Sequence, residues 1–282
     1  MKDTRIVFCS DVHLCHLEWY GRSSAERMDN MVDNLNEFYD KKPYEKIIFL
    51  GDYSLDHWAW GEKGSWLSEG VSNTANFIKE YASRLKAPYY LMPGNHEQYG
   101  YETWREITGT LRDESFVIGG YLFISCDNFS GDLDPDYHSD GTYTPTKLQF
   151  IKEQMKEYPE LPVILCSHYF DLNKEPEEFY TFLKEEKRIT LLLCGHDHDN
   201  TITDLGERAG NVSLYHTGHY SYSGTGKKPT ELMWGFCDAM LTERGIDIRY
   251  VEPDNTFVYE DTVVEHKYRE QNHVFFQRRD RS

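Results

Sequence analysis

The sequence predicts an α/β domain in which two facing mixed β-sheets are flanked by helices. Short apolar runs recur along the first 200 residues, and helix-like stretches lie between several of them. The later apolar runs, at 212–218, 232–242 and 246–252, follow one another without helices, which indicates a β-rich second part. Because two packed sheets accommodate both parts, we predict one domain over residues 1–255 and a C-terminal tail over residues 256–282.

Six of the predicted strands share one pattern, an apolar run that ends in polar residues. They are RIVFCSDVH (5–13), KIIFLGD (46–52), YYLMPGNHE (89–97), YLFISCDN (121–128), PVILCSH (162–168) and ITLLLCGHDH (189–198). Helix-like stretches lie at 25–39, 74–85 and 144–158. In the last of these, Thr144 is the predicted N-cap and Pro145 fits the first helical turn.

Composition and charge restrict the functions open to the chain. With 282 residues, of which 39% are hydrophobic and 28% charged, it has the makeup of an ordinary folded protein. Its formal net charge of −18 disfavours a broad nucleic-acid surface, because such a surface binds phosphates through clustered Lys and Arg. The segment 266–282 is locally basic, and we predict a solvated tail there rather than a binding arm.

Targeting and cysteine patterns predict a cytoplasmic protein that does not span a membrane. No segment reaches the roughly 18 consecutive apolar residues of a membrane helix, and the N-terminus lacks the apolar core of a signal peptide. The six cysteines include no CxxC pair. We therefore predict reduced, buried thiols rather than a disulfide framework.

The polar residues at the strand ends are predicted to converge, since functional groups of α/β sheets collect at the carboxyl ends of the strands. Each short motif is weak evidence by itself; the histidine pair of GHDH, for instance, also fits a solvent-facing loop. Their combination and order along the chain carry the prediction. The converging residues are Asp11, His13, Asp52, Asn95, His96, His168, His196 and His198.

These blocks resemble the calcineurin-like metallophosphoesterases, whose pattern is D-x-H, G-D, G-N-H-[DE], a lone His and G-H-x-H. The chain has DVH at 11–13, GD at 51–52, GNHE at 94–97, SH at 167–168 and GHDH at 195–198. The resemblance covers residues 5 to 200 and implies a metallophosphoesterase-like β-sandwich with α layers and a pair of metal ions. It implies that Asp11, His13 and His198 hold the first ion, that Asn95, His168 and His196 hold the second, and that Asp52 bridges both.

Apart from the resemblance, the residue types of this implied site also fit a pair of metal ions. Imidazoles, carboxylates and an amide carbonyl without thiolates suit Mn, Fe or Zn rather than a closed structural zinc site. The resemblance implies hydrolysis by a metal-bridging hydroxide that attacks phosphorus in line with the leaving oxygen. His96 is the implied general acid or stabiliser of that oxygen, and Glu97 is a candidate carboxylate partner for it.

The predicted function is hydrolysis of small phosphodiesters or phosphomonoesters. Diesters are slightly favoured, because the motifs contain no Arg that would grip a monoester dianion. The implied partner is a small phosphoester substrate, whereas a membrane is not expected and nucleic acid is disfavoured. Two alternatives stay open, a metal-dependent nuclease and a non-catalytic scaffold on the same fold.

Differences from particular members of this family restrict the activities that the resemblance implies. The block PGNHE replaces the RGNHE of protein Ser/Thr phosphatases, so the Arg that grips phosphate there is missing and protein-phosphatase activity is doubtful. Leu55 stands where purple acid phosphatases place a metal-binding Tyr, which argues against an Fe(III)-tyrosinate site. Asp56 gives the spacing G-D-x-x-x-D where many relatives carry G-D-x-x-D.

Several further residues carry weaker signals. His216 and His219 fit either a substrate pocket or a β-turn with surface histidines. Three cysteines sit two residues before implied ligands, and we expect them to be small packing residues beneath the metals rather than redox sensors. These are Cys9, Cys166 and Cys194, and the weakest binding candidates are Tyr53, His57, Asn128, His138 and the aromatic run 57–60.

Overall fold

The computed structural model describes residues 2–15, 18–19, 21–55, 72–129, 141–221, 234–259 and 261–281. The predicted fold class is confirmed, because these residues form two six-stranded mixed sheets with helices. Asp56, His57, the run 57–60 and His138 lie outside the described residues.

The described residues form five α-helices and sixteen strands. In chain order these are β1 (Thr4–Cys9), β2 (Glu18–Trp19), β3 (Arg22–Ser23), α1 (Ser24–Lys41), β4 (Ile47–Phe49), α2 (Asn73–Asn76), β5 (Tyr89–Leu91), α3 (Tyr101–Thr108), β6 (Glu114–Ile118), β7 (Tyr121–Ser125), α4 (Leu148–Glu157), β8 (Val163–Cys166), α5 (Glu177–Glu185), β9 (Ile189–Cys194), β10 (Ile202–Asp204), β11 (Ser213–His216), β12 (Phe236–Leu241), β13 (Gly245–Glu252), β14 (Asn255–Tyr259), β15 (Thr262–His266) and β16 (Arg269–Gln277). None of these helices is long and apolar enough to cross a membrane.

Both large sheets combine parallel strands with antiparallel ones. The first has the order β16-β13-β12-β1-β4-β5, with β1, β4 and β5 parallel to one another and the other strands antiparallel to their neighbours. The second has the order β10-β11-β9-β8-β7-β6, in which β7, β8, β9 and β11 are parallel and the two edge strands are antiparallel. The parallel strands therefore bring several loops to one end of each sheet.

The two sheets pack face to face, and helices cover their outer faces. Residues of β1 alternate between these environments: Ile6 and Phe8 lie in the core between the sheets, whereas Val7 and Cys9 pack toward α1. On the far side, α4 and α5 bury their apolar residues against β7, β8 and β9. The central strands are buried on both faces, which explains why they read as continuous apolar runs rather than alternating ones.

Helix starts depend on caps, and one predicted cap is wrong. Ser23 caps α1 with a reciprocal pair of bonds to Glu26, so this helix begins close to the predicted position. The helix predicted at 144–158 corresponds to α4, which begins at Leu148 rather than at Thr144. The Thr144 hydroxyl and backbone N–H both donate to the carbonyl of Asn128, so Thr144 holds a loop instead of capping the helix.

The segment 256–282, predicted to be a tail, differs from that expectation. It contains β15 and β16, and β16 extends the first sheet by pairing antiparallel with β13. Arg269 of β16 pairs with the buried Glu252 at 2.7 Å, and Arg279 donates to backbone carbonyls of α5 and β9. Arg269 and Arg279 therefore find partners on distant elements, which the local sequence does not reveal.

Candidate metal centre

The loops after β1, β4, β5, β8 and β9 meet at the carboxyl ends of these strands. All eight predicted site residues lie on these loops and form one cluster. They are Asp11, His13, Asp52, Asn95, His96, His168, His196 and His198. The cluster is built from both sheets, because the first three loops follow the first sheet and the last two follow the second.

Three groups of potential ligand atoms overlap in this cluster, and the third joins His96 to His13 and Asp52. In the first, Nε2 of His198 lies 3.2 Å and Nε2 of His13 lies 3.9 Å from Oδ1 of Asp11. In the second, Nε2 of His168 lies 3.1 Å from Oδ2 of Asp52. The same Asp52 oxygen lies 3.2 Å from Nε2 of His13, so Asp52 stands between the two groups.

The second group continues through His196 and Asn95. Ligand atoms of Asp52, His168 and His196 all lie within 4.8 Å of one another. The side-chain oxygen of Asn95 lies 3.0 Å from Nδ1 of His196. Both of these groups thus offer nitrogen and oxygen ligand atoms, which suit divalent transition metals.

Unusual backbone conformations direct these side chains into the cluster. Asp11, His13, Asp52, His196 and His198 all have positive φ, between 51° and 70°. Residues other than glycine seldom adopt this left-handed region, although Asp and His do so more often than most, and residues in such conformations concentrate at functional sites. A Cβ at Gly94 would overlap the carboxylate of Asp52, so glycine lets these two loops approach each other.

The cluster contains buried polar atoms that fit bound cations. Oδ1 of Asp11 and Nε2 of His168 are buried, and their neighbours among the described residues, His198 and Asp52, lie at 3.1–3.2 Å without the alignment of a hydrogen bond. Nδ1 of His168 lies 2.6 Å from the carbonyl oxygen of Leu50 and can donate to it, which leaves Nε2 to face Asp52. A fixed tautomer of this kind is typical of metal-binding histidines. The residues present therefore fit metal ions.

Electrostatics favour the protonation states that metals need at most of these residues, and His168 is the exception. Burial lowers the pKa of His13 to about 4, and burial together with the charge of His168 lowers the pKa of His196 to about 4. Although burial opposes ionisation of Asp11 and Asp52, the neighbouring histidines hold both carboxyl pKa values below the usual range. Burial also lowers the pKa of His168, but the two carboxylates outweigh it and raise that pKa to about 10. A cation would therefore displace a proton from His168.

His96 lies at the side of the cluster. Its Nε2 is 3.7 Å from Oδ2 of Asp52, and its ring packs edge-on against the ring of His13 with centroids 5.7 Å apart. The backbone N–H of His96 donates to the other oxygen of Asp52 at 3.2 Å. These contacts place the imidazole beside the potential ligand atoms.

Glu97, a candidate partner for His96, has different contacts. One carboxylate oxygen accepts the backbone N–H groups of Asp52 and Gly94, both at 2.8 Å, and the other accepts those of Tyr53 at 2.9 Å and Ser54 at 3.2 Å. Burial and the charge of Asp52 raise the pKa of Glu97 to about 8, and N–H bonds oppose that rise. Because all four backbone partners are donors, the arrangement suits an ionised carboxylate that ties the loops together.

Further supporting residues were missed by the sequence analysis. The hydroxyl of Ser221 lies 3.1 Å from Nδ1 of His13. Arg27, fully buried on α1, donates to the carbonyls of Val12, Tyr220 and His13 at 3.1–3.4 Å and so joins the loop after β1 to the segment after β11. A buried arginine in a predicted amphipathic helix gives no local signal of this role.

The two weaker histidine candidates are buried, so their interpretation as surface residues is wrong. His216 and His219 are 6% and 1% exposed. The ring of His219 stacks on that of His198 with centroids 5.3 Å apart. Nδ1 of His216 lies 3.1 Å from a carboxylate oxygen of Asp197 and 3.3 Å from Sγ of Cys194.

Tyr53 and Asn128 serve packing and loop contacts. Tyr53 is buried and stacks on Phe77 with ring centroids 5.3 Å apart, and its hydroxyl donates to the carbonyl of Phe49. The Asn128 amide donates to the carbonyl of Tyr169 at 3.1 Å. These contacts account for Tyr53 and for the amide nitrogen of Asn128, whereas the buried Oδ1 of Asn128 has no hydrogen-bond partner among the described residues.

The cysteines are buried and free, as predicted. Cys9, Cys166 and Cys194 do not form a common layer, because they belong to three different core clusters. Burial raises the pKa of all three thiols, which keeps them protonated and unreactive.

Comparisons with known proteins support the fold and identify the family. The family model described as calcineurin-like phosphoesterase matches residues 4–200, which is more than half of the chain. No curated protein matches the chain significantly in sequence. Many solved structures match its fold, and the two described next do so at identities too low to indicate a common function.

The first is GAP50, the anchor in the inner membrane complex of Plasmodium, with a TM-score of 0.56 and 13% identity over 96% of this chain and 90% of that one. The second is purple acid phosphatase PPD1 from yellow lupin (Lupinus luteus) seeds, with a TM-score of 0.57 and 12% identity. That match covers 89% of this chain but only 52% of the lupin chain. On the family match over residues 4–200, the chain belongs to the calcineurin-like phosphoesterase family.

Proposed function

We propose that this protein is a binuclear metal-dependent phosphohydrolase that cleaves small phosphodiesters or phosphomonoesters. The observation that carries the proposal is the position of Asp52, whose Oδ2 lies 3.2 Å from His13 and 3.1 Å from His168 in the two overlapping groups. A carboxylate so placed can serve two ions at once.

Each group would hold one ion. Asp11, His13 and His198 would bind the first, and Asn95, His168 and His196 would bind the second, with Asp52 shared between them. Two bound Mn, Fe or Zn ions would supply an activated water and stabilise negative charge on the phosphoryl oxygens. The proposed ligands include only two carboxylates, Asp11 and Asp52, which would not cancel the charge of two metal ions. The occupied site would therefore attract an anionic phosphoryl group despite the net charge of −18 of the chain.

His96 would protonate or stabilise the oxygen of the departing alcohol. Its imidazole lies beside Asp52, with Nε2 at 3.7 Å from the carboxylate and close to where the reacting group would lie. Its ring nitrogen also groups with ligand atoms of His13 and Asp52, so the assignment of His96 to proton transfer rather than to metal binding is part of the proposal. We expect His96→Asn to lower kcat by about 10²–10⁴-fold for an alkyl ester. The loss should be smaller for a p-nitrophenyl ester, because nitrophenolate leaves without a proton. An equal loss with both leaving groups would contradict this role.

The proposed activity is tested with protein of measured metal content. Two ions per chain should be found after reconstitution with Mn²⁺, and the protein should hydrolyse bis-p-nitrophenyl phosphate, p-nitrophenyl phosphate or both. Diesters are the slightly favoured class, since the matched motifs contain no Arg to grip a dianion. Absence of turnover with any small phosphoester at full metal occupancy would refute the proposal.

A non-catalytic scaffold is the second candidate, and one observation favours it: a structure of the same fold is described as an anchor. Metal content separates the two, because a scaffold of this kind would bind no ions after careful reconstitution. A nuclease is disfavoured by the net charge of −18, and salt-sensitive cleavage of single-stranded DNA would restore it.

A further inference from the structure

The chain reaches the candidate metal centre again directly after β11, in the short segment 219–221. Gly218 allows this approach: its φ is 78°, and a Cβ there would lie 2.7 Å from the ring of Tyr250. The backbone N–H of Ser221 donates to Nδ1 of His219 at 3.1 Å. The turn therefore holds the imidazole of His219, which is 1% exposed, in one orientation.

This segment contacts all three ligands proposed for the first ion. The ring of His219 stacks on the ring of His198, with centroids 5.3 Å apart and an angle of 22° between the planes. The hydroxyl of Ser221 lies 3.1 Å from Nδ1 of His13. The backbone N–H of the residue between them, Tyr220, donates to the carbonyl of Asp11 at 3.2 Å. Side chains and backbone of one turn thus support the whole first group.

The ligands proposed for the second ion have other neighbours. The ring of Tyr169 packs on the ring of His196, with centroids 4.3 Å apart. Within the part of the chain that the structure describes, no hydrogen bond or ring contact joins the segment 219–221 to a ligand of the second ion alone. The two ions would therefore depend on different parts of the chain for the placement of their ligands.

We propose that His219 is a positioning residue for the first ion, because its stacked ring fixes the plane in which His198 presents Nε2. That nitrogen lies 3.2 Å from Oδ1 of Asp11, where an ion held by both side chains would sit. The proposal rests on the proposed binuclear site and adds how one of its ions is retained. A ligand whose orientation is fixed before the metal arrives binds it more tightly, so loss of the His219 ring should weaken the first ion and spare the second.

The test measures metal binding rather than activity. His219→Asn keeps an oxygen that can accept the N–H of Ser221 but removes the ring, whereas His219→Phe keeps a ring and removes the acceptor. Titration of the unmodified metal-free protein with Mn²⁺ should give two ions per chain. We expect His219→Asn to raise the Kd of one ion at least about tenfold and to leave the other unchanged, and His219→Phe to raise that Kd less.

Diffraction assigns the weakened ion to a group of ligands. Crystals of His219→Asn grown at limiting Mn²⁺ should show anomalous scattering from manganese beside His168 and little beside His198. Melting temperatures in EDTA should be similar for the variant and the unmodified protein, because the ring contributes to metal binding rather than to folding. Should His219→Asn fail to fold, His219→Gln, which also lacks the ring, carries the same expectation.

His266→Asn is the matched control, because the ring of His266 stacks on Phe257 of the neighbouring β14 rather than on a proposed ligand. It removes the same ring from a comparable stack and should leave the Kd of both ions unchanged. A loss of the first ion in this variant would mean that removal of any stacked histidine weakens the site, and the specific role of His219 would be wrong.

The remaining outcomes separate this proposal from the one on which it rests. Unchanged binding in His219→Asn, an equal loss of both ions, or loss of the manganese beside His168 would overturn the positioning role and leave the phosphohydrolase function standing. Equal weakening in His219→Phe and His219→Asn would also overturn it, because the stack would not be the cause. If the unmodified protein bound fewer than two ions, the binuclear site itself would fail, and this proposal with it.

Discussion

Replacing Glu97 with glutamine perturbs the bonds that hold two site loops around Asp52. The carboxylate accepts four backbone N–H bonds at 2.8–3.2 Å, two on each oxygen. In Glu97→Gln one oxygen can still accept two bonds, but the amide NH₂ places a donor against the other two N–H groups. Either orientation of the amide therefore leaves two backbone donors unsatisfied in a fully buried position.

The expected cost follows from those two lost bonds. An unsatisfied buried donor costs about 1–3 kcal/mol, so Glu97→Gln should lower the free energy of unfolding by about 2–6 kcal/mol. The melting temperature in EDTA should fall by at least about 4 °C. Because the same bonds position Asp52, the Kd for Mn²⁺ should also rise by about 10–100-fold. Thermal melts and titration calorimetry measure the two effects separately.

Glu178→Gln is the control for Glu97→Gln, because Glu178 is exposed on α5 and its carboxylate pairs with Lys152 at the surface. It should leave both the melting temperature and the Mn²⁺ affinity unchanged. If Glu97→Gln melted like the unmodified protein and bound Mn²⁺ as tightly, the reasoning that this carboxylate fixes the loops would be refuted.

Three further predictions concern the metal centre and the core. Ser221→Ala removes the hydroxyl that lies 3.1 Å from Nδ1 of His13 and should raise the Kd for Mn²⁺ about tenfold. The control Ser115→Ala, on β6, should leave this Kd unchanged. Equal Kd values for the two variants would contradict the role of Ser221. At one hundred times its Kd, Mn²⁺ should raise the melting temperature by roughly 5–10 °C, and an unchanged temperature would argue against specific binding. Ellman's reagent at pH 8 should label less than one thiol per native chain and all six thiols after denaturation. The reason is that the cysteines are buried and that burial raises the pKa of thiols such as Cys194. Rapid labelling of the native protein would contradict this prediction.

Much of the fold and of the candidate site could be predicted because both depend on local patterns. Apolar runs such as 189–198 identify buried strands, and the polar residues that end them identify the loops that meet in a parallel sheet. The eight predicted site residues could therefore be identified as one set. They cluster in the structure because parallel strands bring the loops at their carboxyl ends to the same end of a sheet. Short or exposed elements such as β10 and α3 carry no comparable apolar run and were not predicted.

The sequence by itself determined the types and order of the potential ligands, the strands that carry them and the α/β class, since these follow from residue chemistry and short-range periodicity. The tertiary structure alone decided which distant groups satisfy each polar atom. It directed Glu97 to four backbone N–H groups rather than to His96, moved the start of α4 by engaging Thr144 elsewhere, and placed β16 in the first sheet. The physical reason is that a buried donor or acceptor must find a partner wherever the packed chain offers one, and that partner can be hundreds of residues away.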